Sequence, residues 1–286
     1  MRIAGLGAWG PGFSNWPALQ AWLQGGDRPA ELTTARPAPE CIPPRERRRA
    51  PLSVKLAVAV ADQACSMAGV SPHDAVCVFA SGMGDMDITD YMCRTLASDQ
   101  PLVSPTKFHN SVHNAPVGYW SISQGARRSS NAVAGFLDTI PISLLEAATQ
   151  CVTEQVPVLW ASQDIASPEP FRMIADIPDA CAFALLLVPG PEDNRPVAQT
   201  TRDTSQNPGT CLDLGLIEGA SPWPGLHTDT LKSLYEHNPT ARLLPLLEVL
   251  AGVRAGPLKL PLSGAMSLQL NASVHNILHP GESKSA

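Results

Sequence analysis

The chain has 286 residues, of which 44% are hydrophobic and only 16% are charged. This length predicts one large domain or two small ones, with enough apolar residues for a core but so few charges that a stable protein partner is expected to cover part of the surface. The net charge of −6 argues against a nucleic-acid-binding protein, and no apolar run reaches the roughly 20 residues that a membrane span needs.

The first 190 residues alternate between predicted strands and predicted helices. The loops that separate them include 27–51 and 98–116, which are rich in Pro, Arg or polar residues. Apolar strands that alternate with helices indicate an α/β protein whose sheet is covered on both faces. Strands are predicted at 2–6, 75–80, 131–134, 156–161 and 180–188, and helices at 17–23, 52–68, 87–97 and 140–151.

The composition changes after residue 190. Residues 191–224 are rich in Pro, Asp, Asn, Thr and Gly, which predicts an irregular linker. Residues 225–286 are predicted to form a C-terminal extension with a helix at 243–250 and a small hairpin of strands 258–262 and 266–270. The tail after residue 279 is expected to be frayed.

Gly5, Gly7 and Gly10 match the Gly-x-Gly-x-x-Gly pattern of dinucleotide-binding proteins. That function requires a helix that begins at the second glycine, so that its N-terminus can hold the pyrophosphate. Pro11 and Gly12 oppose such a helix, and no acidic residue ends a second strand about 20 positions later. We therefore interpret the glycines as a tight turn between a strand and a helix, and we expect no cofactor.

His109 and His113 have the i, i+4 spacing of two metal ligands on a helix. Their segment lies between Pro105 and Pro116 and has no acidic or thiol ligand nearby, so a helix there is doubtful. We interpret both as hydrogen-bonding loop histidines and expect no metal site.

A group of arginines interrupts an otherwise acidic chain. A solvated loop face is the favoured interpretation. The alternative is a docking site for an acidic partner or a phosphate-bearing carrier, because guanidinium groups bind such anions well. The group consists of Arg45, Arg47, Arg48 and Arg49.

Residues 104–120 carry the most specific pattern, Ser-Pro-Thr-Lys-Phe-His-Asn-Ser-Val-His-Asn-Ala-Pro-Val-Gly-Tyr-Trp. Together with the strand at 131–134 and the helix after it, this pattern resembles the N-terminal half of β-ketoacyl synthases, which have the thiolase fold. The strands at 3–7, 79–80, 158–162 and 182–188 agree with the order of elements in that family. The resemblance implies a thiolase-like half over residues 1–190, with a mixed, mostly parallel sheet and helices on both faces.

The catalytic residues of that family are absent at the matching positions. Its nucleophile is a Cys that begins the helix after the strand at 131–134, where the positive end of the helix activates the thiolate. Neither its His-Gly-Thr nor its Gly-His-Thr pattern occurs, and the nearest match, at His227, is out of register. The residues at the degenerate nucleophile position are Gly135, Phe136, Leu137 and Asp138.

These departures resemble chain-length factors, the non-catalytic partners of heterodimeric ketosynthases, and most of all those of aryl-polyene biosynthesis. The resemblance implies a heterodimer with a full-length ketosynthase, work with an acyl carrier protein, and a role for Phe136 and Leu137 as the floor or gate of the partner's acyl tunnel. It also implies a heterodimer interface formed by Phe108, His113, Asn114, Tyr119, Trp120, Asn131 and Val133.

Two alternatives remain. One is an independent acyltransferase that uses Cys65, Cys77 or Cys151, with His109 or His113 as its base. These cysteines lie in apolar stretches, where burial raises the thiol pKa and blocks access. The other alternative is a homodimer that binds a small molecule in the vestigial pocket. The seven cysteines are scattered and include no Cys-x-x-Cys pair, which favours reduced thiols and a cytoplasmic location.

Overall fold

One eight-stranded sheet runs through the part of the chain that the computed structural model describes, namely residues 1–26, 29, 32–190, 210–262 and 264–274. In chain order the strands are β1 (Arg2–Trp9), β2 (Val76–Ala80), β3 (Ser130–Val133), β4 (Val158–Asp164), β5 (Cys181–Val188), β6 (Thr210–Glu218), β7 (Leu258–Leu262) and β8 (Met266–Val274). Their order across the sheet is β3-β2-β4-β5-β1-β6-β8-β7.

The sheet is mixed, as predicted, but the expectation that it is mostly parallel is wrong. Only β2 runs parallel to its neighbours, β3 and β4. The other five neighbouring pairs are antiparallel. The reason is the connections: β5 follows β4 without a long crossover helix, and the link between β7 and β8 is too short for a parallel return.

Helices cover both faces of this sheet, which confirms the α/β prediction. Neighbouring residues on a strand point to opposite faces, so Val78 and Trp160 lie in one core and Phe79 and Leu159 in the other. The helices among the described residues are α1 (Trp16–Leu23), α2 (Pro44–Arg49), α3 (Leu52–Ala68), α4 (Met86–Leu96), α5 (Pro105–His109), α6 (Ala115–Gln124), α7 (Thr139–Glu154), α8 (Lys232–His237) and α9 (Leu244–Leu250).

Local sequence signals account for the ends of several helices. The side chain of Asn15 accepts a hydrogen bond from the Ala18 amide at 2.9 Å and so caps α1. Helix α3 ends as predicted at Gly69, whose φ of 64° places it in the left-handed region that favours glycine. Capping chemistry of this kind is local, and for that reason these boundaries are readable from the sequence.

Gly5 and Gly7 are interior residues of β1 and do not form the predicted turn. A Cβ atom at Gly5 would lie 2.0 Å from the Ala64 carbonyl oxygen, and one at Gly7 would lie 2.0 Å from the Val60 carbonyl oxygen. Both glycines therefore allow α3 to pack directly on β1. No helix begins at Gly7, because the strand continues through it to Trp9.

Three segments predicted to be irregular contain regular structure. Helix α2 lies within 27–51, and α5 with the start of α6 lies within 98–116. Strand β6 lies within the predicted linker 191–224, where it pairs with β1 and along its whole length with β8. A strand of mixed polar and apolar residues gains its stability from such partners, which lie far away in the sequence. Residues 191–209 and the tail after residue 279 lie outside the described residues.

The C-terminal segment continues the same sheet. Its predicted helix and hairpin are present as α9 and as β7 with β8. Leu244 and Leu247 of α9 lie in the same core as Trp160 and Leu185 of the central strands. The segment therefore supplies one side of the main core, and it brings residues 238–240 against the end of β4.

Candidate functional site

The connection between β3 and α7 is a tight elbow at residues 134–138. Phe136 has a φ of 51°, in the left-handed region that a bulky side chain rarely adopts. The Gly135 amide donates a hydrogen bond to Thr139 Oγ1 at 3.0 Å, and that hydroxyl donates to the Phe136 carbonyl at 2.8 Å. The surrounding structure thus holds a strained turn directly before a sixteen-residue helix.

The side chains of this elbow project outward. Phe136 is 44% exposed and Leu137 is 42% exposed, although both are large and apolar. Neither side chain belongs to a core cluster, and the exposed part of each is available to a neighbouring molecule.

A second loop, residues 81–85, packs against the inner side of the elbow. A Cβ atom at Gly82 would lie 2.9 Å from the Phe136 carbonyl oxygen and 2.8 Å from Cβ of Pro239. Only glycine permits this approach without displacement of its neighbours. The elbow, the 81–85 loop and the 238–240 segment are therefore in direct contact.

Asp164, the last residue of β4, holds these segments together and is fully buried. Its carboxylate accepts hydrogen bonds from Ser81 Oγ at 2.8 Å, the Met83 amide at 2.9 Å and the Gly82 amide at 3.2 Å. Thr240 Oγ1 donates a fourth bond at 2.9 Å. Burial raises the pKa of the Asp164 carboxyl above its ordinary range, and the donated hydrogen bonds oppose that shift.

The 238–240 segment adds further polar contacts below the same loop. Asn238 Nδ2 donates to the Asp164 carbonyl at 3.2 Å and to the Asp179 carbonyl at 2.9 Å. Ser162 Oγ lies 2.7 Å from Thr240 Oγ1. This network is not readable from the sequence, because Asp164 is 74 or more residues away from its partners in the 81–85 loop and the 238–240 segment. The one local signal was a charged residue at the end of an apolar strand, where a carboxylate needs partners if it is buried.

The structure brings some of the predicted interface residues together. His113 Nε2 lies 3.1 Å from the Val133 carbonyl oxygen, which joins the 108–114 segment to the end of β3. Asn131 donates a hydrogen bond to Glu146 Oε1 of α7 at 2.8 Å. Phe108 is 63% exposed, Asn114 is exposed, and Tyr119 is half-buried.

Trp120 is a correction to the predicted interface. Its side chain is fully buried and packs beside the ring of Phe79, with the ring centroids 6.4 Å apart. It belongs to the core between α3, α6 and the sheet. A residue in that position stabilises the chain itself and is not accessible to a partner.

Strand β3 is an edge of the sheet. Within the described residues its one strand neighbour is β2, so its other side offers unpaired backbone groups. The strand is four residues long, and the exposed elbow follows it immediately. An edge of this kind, beside exposed apolar side chains, is a surface at which another chain can bind.

The four arginines lie on α2 and not on the predicted loop. Arg45, Arg48 and Arg49 are exposed. Arg47 is partly buried and donates hydrogen bonds to the carbonyl oxygens of Ala38 and Pro39 at 3.2 and 3.1 Å. Arg47 therefore holds a loop, whereas the other three present their guanidinium groups to solvent.

The cysteines of the acyltransferase alternative are buried. Burial raises the pKa of Cys65 and of Cys77 to about 12 and that of Cys151 to about 11. Thiols with such pKa values carry almost no thiolate at neutral pH and are poor nucleophiles. His109 ends α5 and His113 follows in a turn, so the two do not share a helix face. No group of three metal-ligating side chains is found within the described residues.

None of the helices in the described ranges is both long and apolar enough to cross a membrane.

Comparison with known proteins gives one family and several similar folds. The model of the β-ketoacyl synthase N-terminal domain matches residues 15–213, which is more than half of the chain. No curated protein matches the sequence.

Three solved complexes contain chains of similar fold. A chain of the ketosynthase ApeO in complex with its chain length factor ApeC, from Xenorhabdus doucetiae, matches with a TM-score of 0.66 and 21% identity, over 94% of this chain and 98% of its own. The AntDE:AntF complex is a type II PKS acyl-carrier protein in complex with its ketosynthase bound to the hexaketide. One of its chains matches with a TM-score of 0.69 and 10% identity, over 96% of this chain and 99% of its own. A chain of the ishigamide ketosynthase/chain length factor matches with a TM-score of 0.63 and 13% identity, over 94% of this chain and 98% of its own.

At these identities the structural matches establish the fold, and the family model establishes the relationship. The chain has the features that the family resemblance predicts, namely a mixed sheet, helices on both faces and an elbow between β3 and α7. The chain therefore belongs to the β-ketoacyl synthase family and has its thiolase-like fold.

Proposed function

We propose that this chain is a non-catalytic, chain-length-factor-type subunit that pairs with an active ketosynthase. The observation that carries the proposal is the elbow at Phe136. It keeps a strained backbone before a long helix, but the residue there is a phenylalanine and cannot attack a thioester. Two of the similar structures are complexes of a ketosynthase with a chain length factor, which supports the same role here.

The proposed heterodimer interface is centred on the edge strand β3. It includes Asn131 and Val133 on the strand, and Phe108, His113 and Asn114 on the neighbouring segment. The centres of protein interfaces are rich in aromatic and apolar side chains, and such side chains are exposed here beside an open strand edge. The half-buried Tyr119 lies at its margin, and the buried Trp120 supports it from behind.

Phe136 and Leu137 are proposed to reach the partner's acyl tunnel. Both are apolar, exposed and placed directly after the interface strand. A phenyl ring at the end of a tunnel would limit the length of the chain that grows in it. The pair is proposed to elongate the chain of a polyene in the cytoplasm.

We also propose that α2 contacts an acyl carrier protein. Exposed guanidinium groups on an otherwise acidic chain suit an acidic protein partner. One of the similar structures is a complex of an acyl-carrier protein with its ketosynthase, which supports the presence of such a protein in the assembly.

Co-expression with an active, Cys-bearing ketosynthase of the same organism tests the pairing. The two chains are expected to co-purify and to elute together in size-exclusion chromatography at micromolar concentration. Phe108→Asp should abolish co-elution, because it replaces the exposed aromatic side chain of the proposed interface with a charge. Leu216→Asp is the matched control, since Leu216 is 51% exposed on β6, far across the sheet from β3. Separate elution of the unmodified chains, or a stable homodimer that excludes the ketosynthase, refutes the pairing.

The tunnel role is tested on the purified heterodimer. Phe136→Ala is expected to lengthen or broaden the product distribution, measured by mass spectrometry, while the two subunits remain associated. Leu216→Ala is expected to leave the products unchanged. An unchanged product distribution for Phe136→Ala removes this residue from the tunnel.

A further inference from the structure

The open edge of β3 has a carboxylate beside the middle of the strand. Asn131, on β3, donates a hydrogen bond to Glu146 Oε1 at 2.8 Å. Gln150, one helical turn further along α7, donates a second bond to the same oxygen at 2.5 Å. Glu146 is partly exposed. The carboxylate is therefore held from two sides, at the place where a neighbouring chain would pair with the strand.

Two acceptor atoms beside this edge have no donor among the described residues. Glu146 Oε2 receives no hydrogen bond there, and no cationic side chain of that part of the chain lies within 4.0 Å of the carboxylate. Gln150 Oε1 is buried and has no partner, because the amide nitrogen of Gln150 is turned toward Glu146. A buried acceptor without a donor costs free energy, and a carboxylate binds cationic donors most strongly. A cationic side chain with several N–H groups, supplied by another chain, would serve both acceptors.

A second copy of this chain does not meet that requirement. Two identical edge strands that pair in a closed dimer run antiparallel about a two-fold axis, so the middle of one strand faces the middle of the other. Side chains directly opposite each other on paired strands are about 5 Å apart, so the two Glu146 carboxylates, each beside its own Asn131, would lie within about 10 Å of each other. Like charges at this distance weaken an association by roughly tenfold at a partly exposed site.

The cations that precede β3 do not relieve this repulsion. Arg127 and Arg128 are exposed and lie just before the first residue of the strand. In an antiparallel copy they would face the elbow that follows β3, about four residues and roughly 13 Å along the strand from Asn131. The centre of the edge therefore opposes pairing with a second copy.

We infer that Glu146 determines which chain pairs with the β3 edge, because it binds a cationic side chain of the correct partner and repels a second copy of this chain. The inference rests on the proposed function for the identity of the partner, which is a ketosynthase. It adds the chemistry that this ketosynthase presents, namely a cationic side chain opposite the middle of β3. Glu146 is a specificity-determining residue of the interface and does not contact the substrate.

Sedimentation velocity of this chain alone tests the repulsion. The wild-type chain is expected to be monomeric at micromolar concentration. Glu146→Gln keeps an acceptor for Asn131 but removes the charge, so it should lower the dissociation constant of the homodimer by about tenfold. Glu154→Gln is the matched control and should behave as the wild type, since Glu154 is exposed at the end of α7, roughly 12 Å further along the helix. No gain of self-association in Glu146→Gln overturns the inference.

The salt dependence separates charge from a structural effect of the substitution. In 1 M salt the screening length falls to about 3 Å, so the wild-type chain and Glu146→Gln should self-associate equally. A difference between them that persists in 1 M salt would show that Glu146 acts through the shape of the edge, against the inference.

A charge exchange tests the preference for a cation. The Glu146→Lys chain mixed with the wild-type chain should form a dimer of one copy of each, whereas each of them alone should remain monomeric. Glu154→Lys mixed with the wild type should form no such dimer. Toward the ketosynthase, Glu146→Gln should weaken binding about tenfold and Glu146→Lys about a hundredfold, measured by biolayer interferometry. Unchanged binding of the ketosynthase by both variants contradicts the inference.

Failure of this inference is distinguishable from failure of the proposed function. If the wild-type chain binds the ketosynthase, but Glu146→Gln neither weakens that binding nor self-associates, only the role of Glu146 is refuted. If the wild-type chain does not bind the ketosynthase, while the mixed dimer with Glu146→Lys forms, the pairing is refuted and the repulsion at the edge is upheld. A stable homodimer of the wild-type chain refutes both.

Discussion

Asp164→Ala tests whether one buried carboxylate organises the elbow. The substitution removes the acceptor of four hydrogen bonds. The two hydroxyl donors can rotate toward other acceptors, but the Gly82 and Met83 amides are fixed by the backbone. With about 1 kcal/mol for each amide left without a partner and about 0.5 kcal/mol for each hydroxyl bond, the expected loss is about 3 kcal/mol. For a chain of this size the corresponding drop in melting temperature is about 6 °C.

Urea unfolding measures this loss, provided that the m-value stays unchanged. Asp90→Ala is the control, because Asp90 pairs with Arg94 at 2.8 Å on the surface of α4, where such a pair contributes about 0.5 kcal/mol. Asp164→Asn keeps the shape of the side chain but turns an NH₂ group toward hydrogen-bond donors. Its loss of stability should therefore lie between those of Asp90→Ala and Asp164→Ala. If Asp164→Ala is no less stable than Asp90→Ala, the network does not hold the loop.

The same variant has a local consequence at the elbow. Because the 81–85 loop packs against the Phe136 carbonyl, a loosened loop should increase hydrogen exchange at the Gly135 amide, which donates to Thr139. Native-state exchange measured by NMR distinguishes this effect from global unfolding. Unchanged exchange at Gly135 would mean that Thr139 alone holds the elbow.

Three further outcomes are expected. Trp120→Ala should lower the free energy of unfolding by about 4 kcal/mol, whereas Ile122→Ala on the same helix should change it by less than about 0.5 kcal/mol, because Trp120 is fully buried and Ile122 is 84% exposed. Glu248→Ala should lower the free energy of unfolding by about 3 kcal/mol, because the substitution leaves Arg254 without its ion-pair partner at 3.0 Å. Equal urea midpoints for the variant and the wild type would contradict this. Iodoacetamide at pH 8 should modify the exposed Cys93 readily. A pKa of about 12 leaves about one thiol in ten thousand ionised at that pH, so peptide mass spectrometry should find almost no label on Cys65 or Cys77, and rapid label there would revive the acyltransferase alternative.

Elements with local signals were predictable from the sequence. Helix α3 has an uninterrupted small and apolar sequence and a glycine at its end, and its observed bounds equal the predicted ones. Strands β2, β4 and β5 are apolar runs flanked by turn residues, and they were predicted to within a few residues. In each case the information lies within about ten consecutive residues, as cap chemistry and periodicity require.

Elements that depend on distant partners were not predictable. Strand β6 mixes polar with apolar residues and exists because β1 and β8 pair with it. The burial of Trp120 follows from the packing of α6 beside α3 and the sheet, which the local polarity of residues 104–120 does not indicate. The Asp164 network needed Thr240, 76 residues away, to come within 2.9 Å.

The sequence by itself determined the α/β class, because apolar strands alternate with helices along the chain. It also determined the family resemblance and the lack of a nucleophile at the elbow, because residue identity at matched positions is enough to establish both. Only the tertiary structure decided that the sheet is largely antiparallel, that the C-terminal segment completes its core, and that Phe136 points outward while Trp120 does not. These properties depend on which surfaces are buried against each other. Burial is set by contacts between segments that the order of residues along the chain leaves far apart.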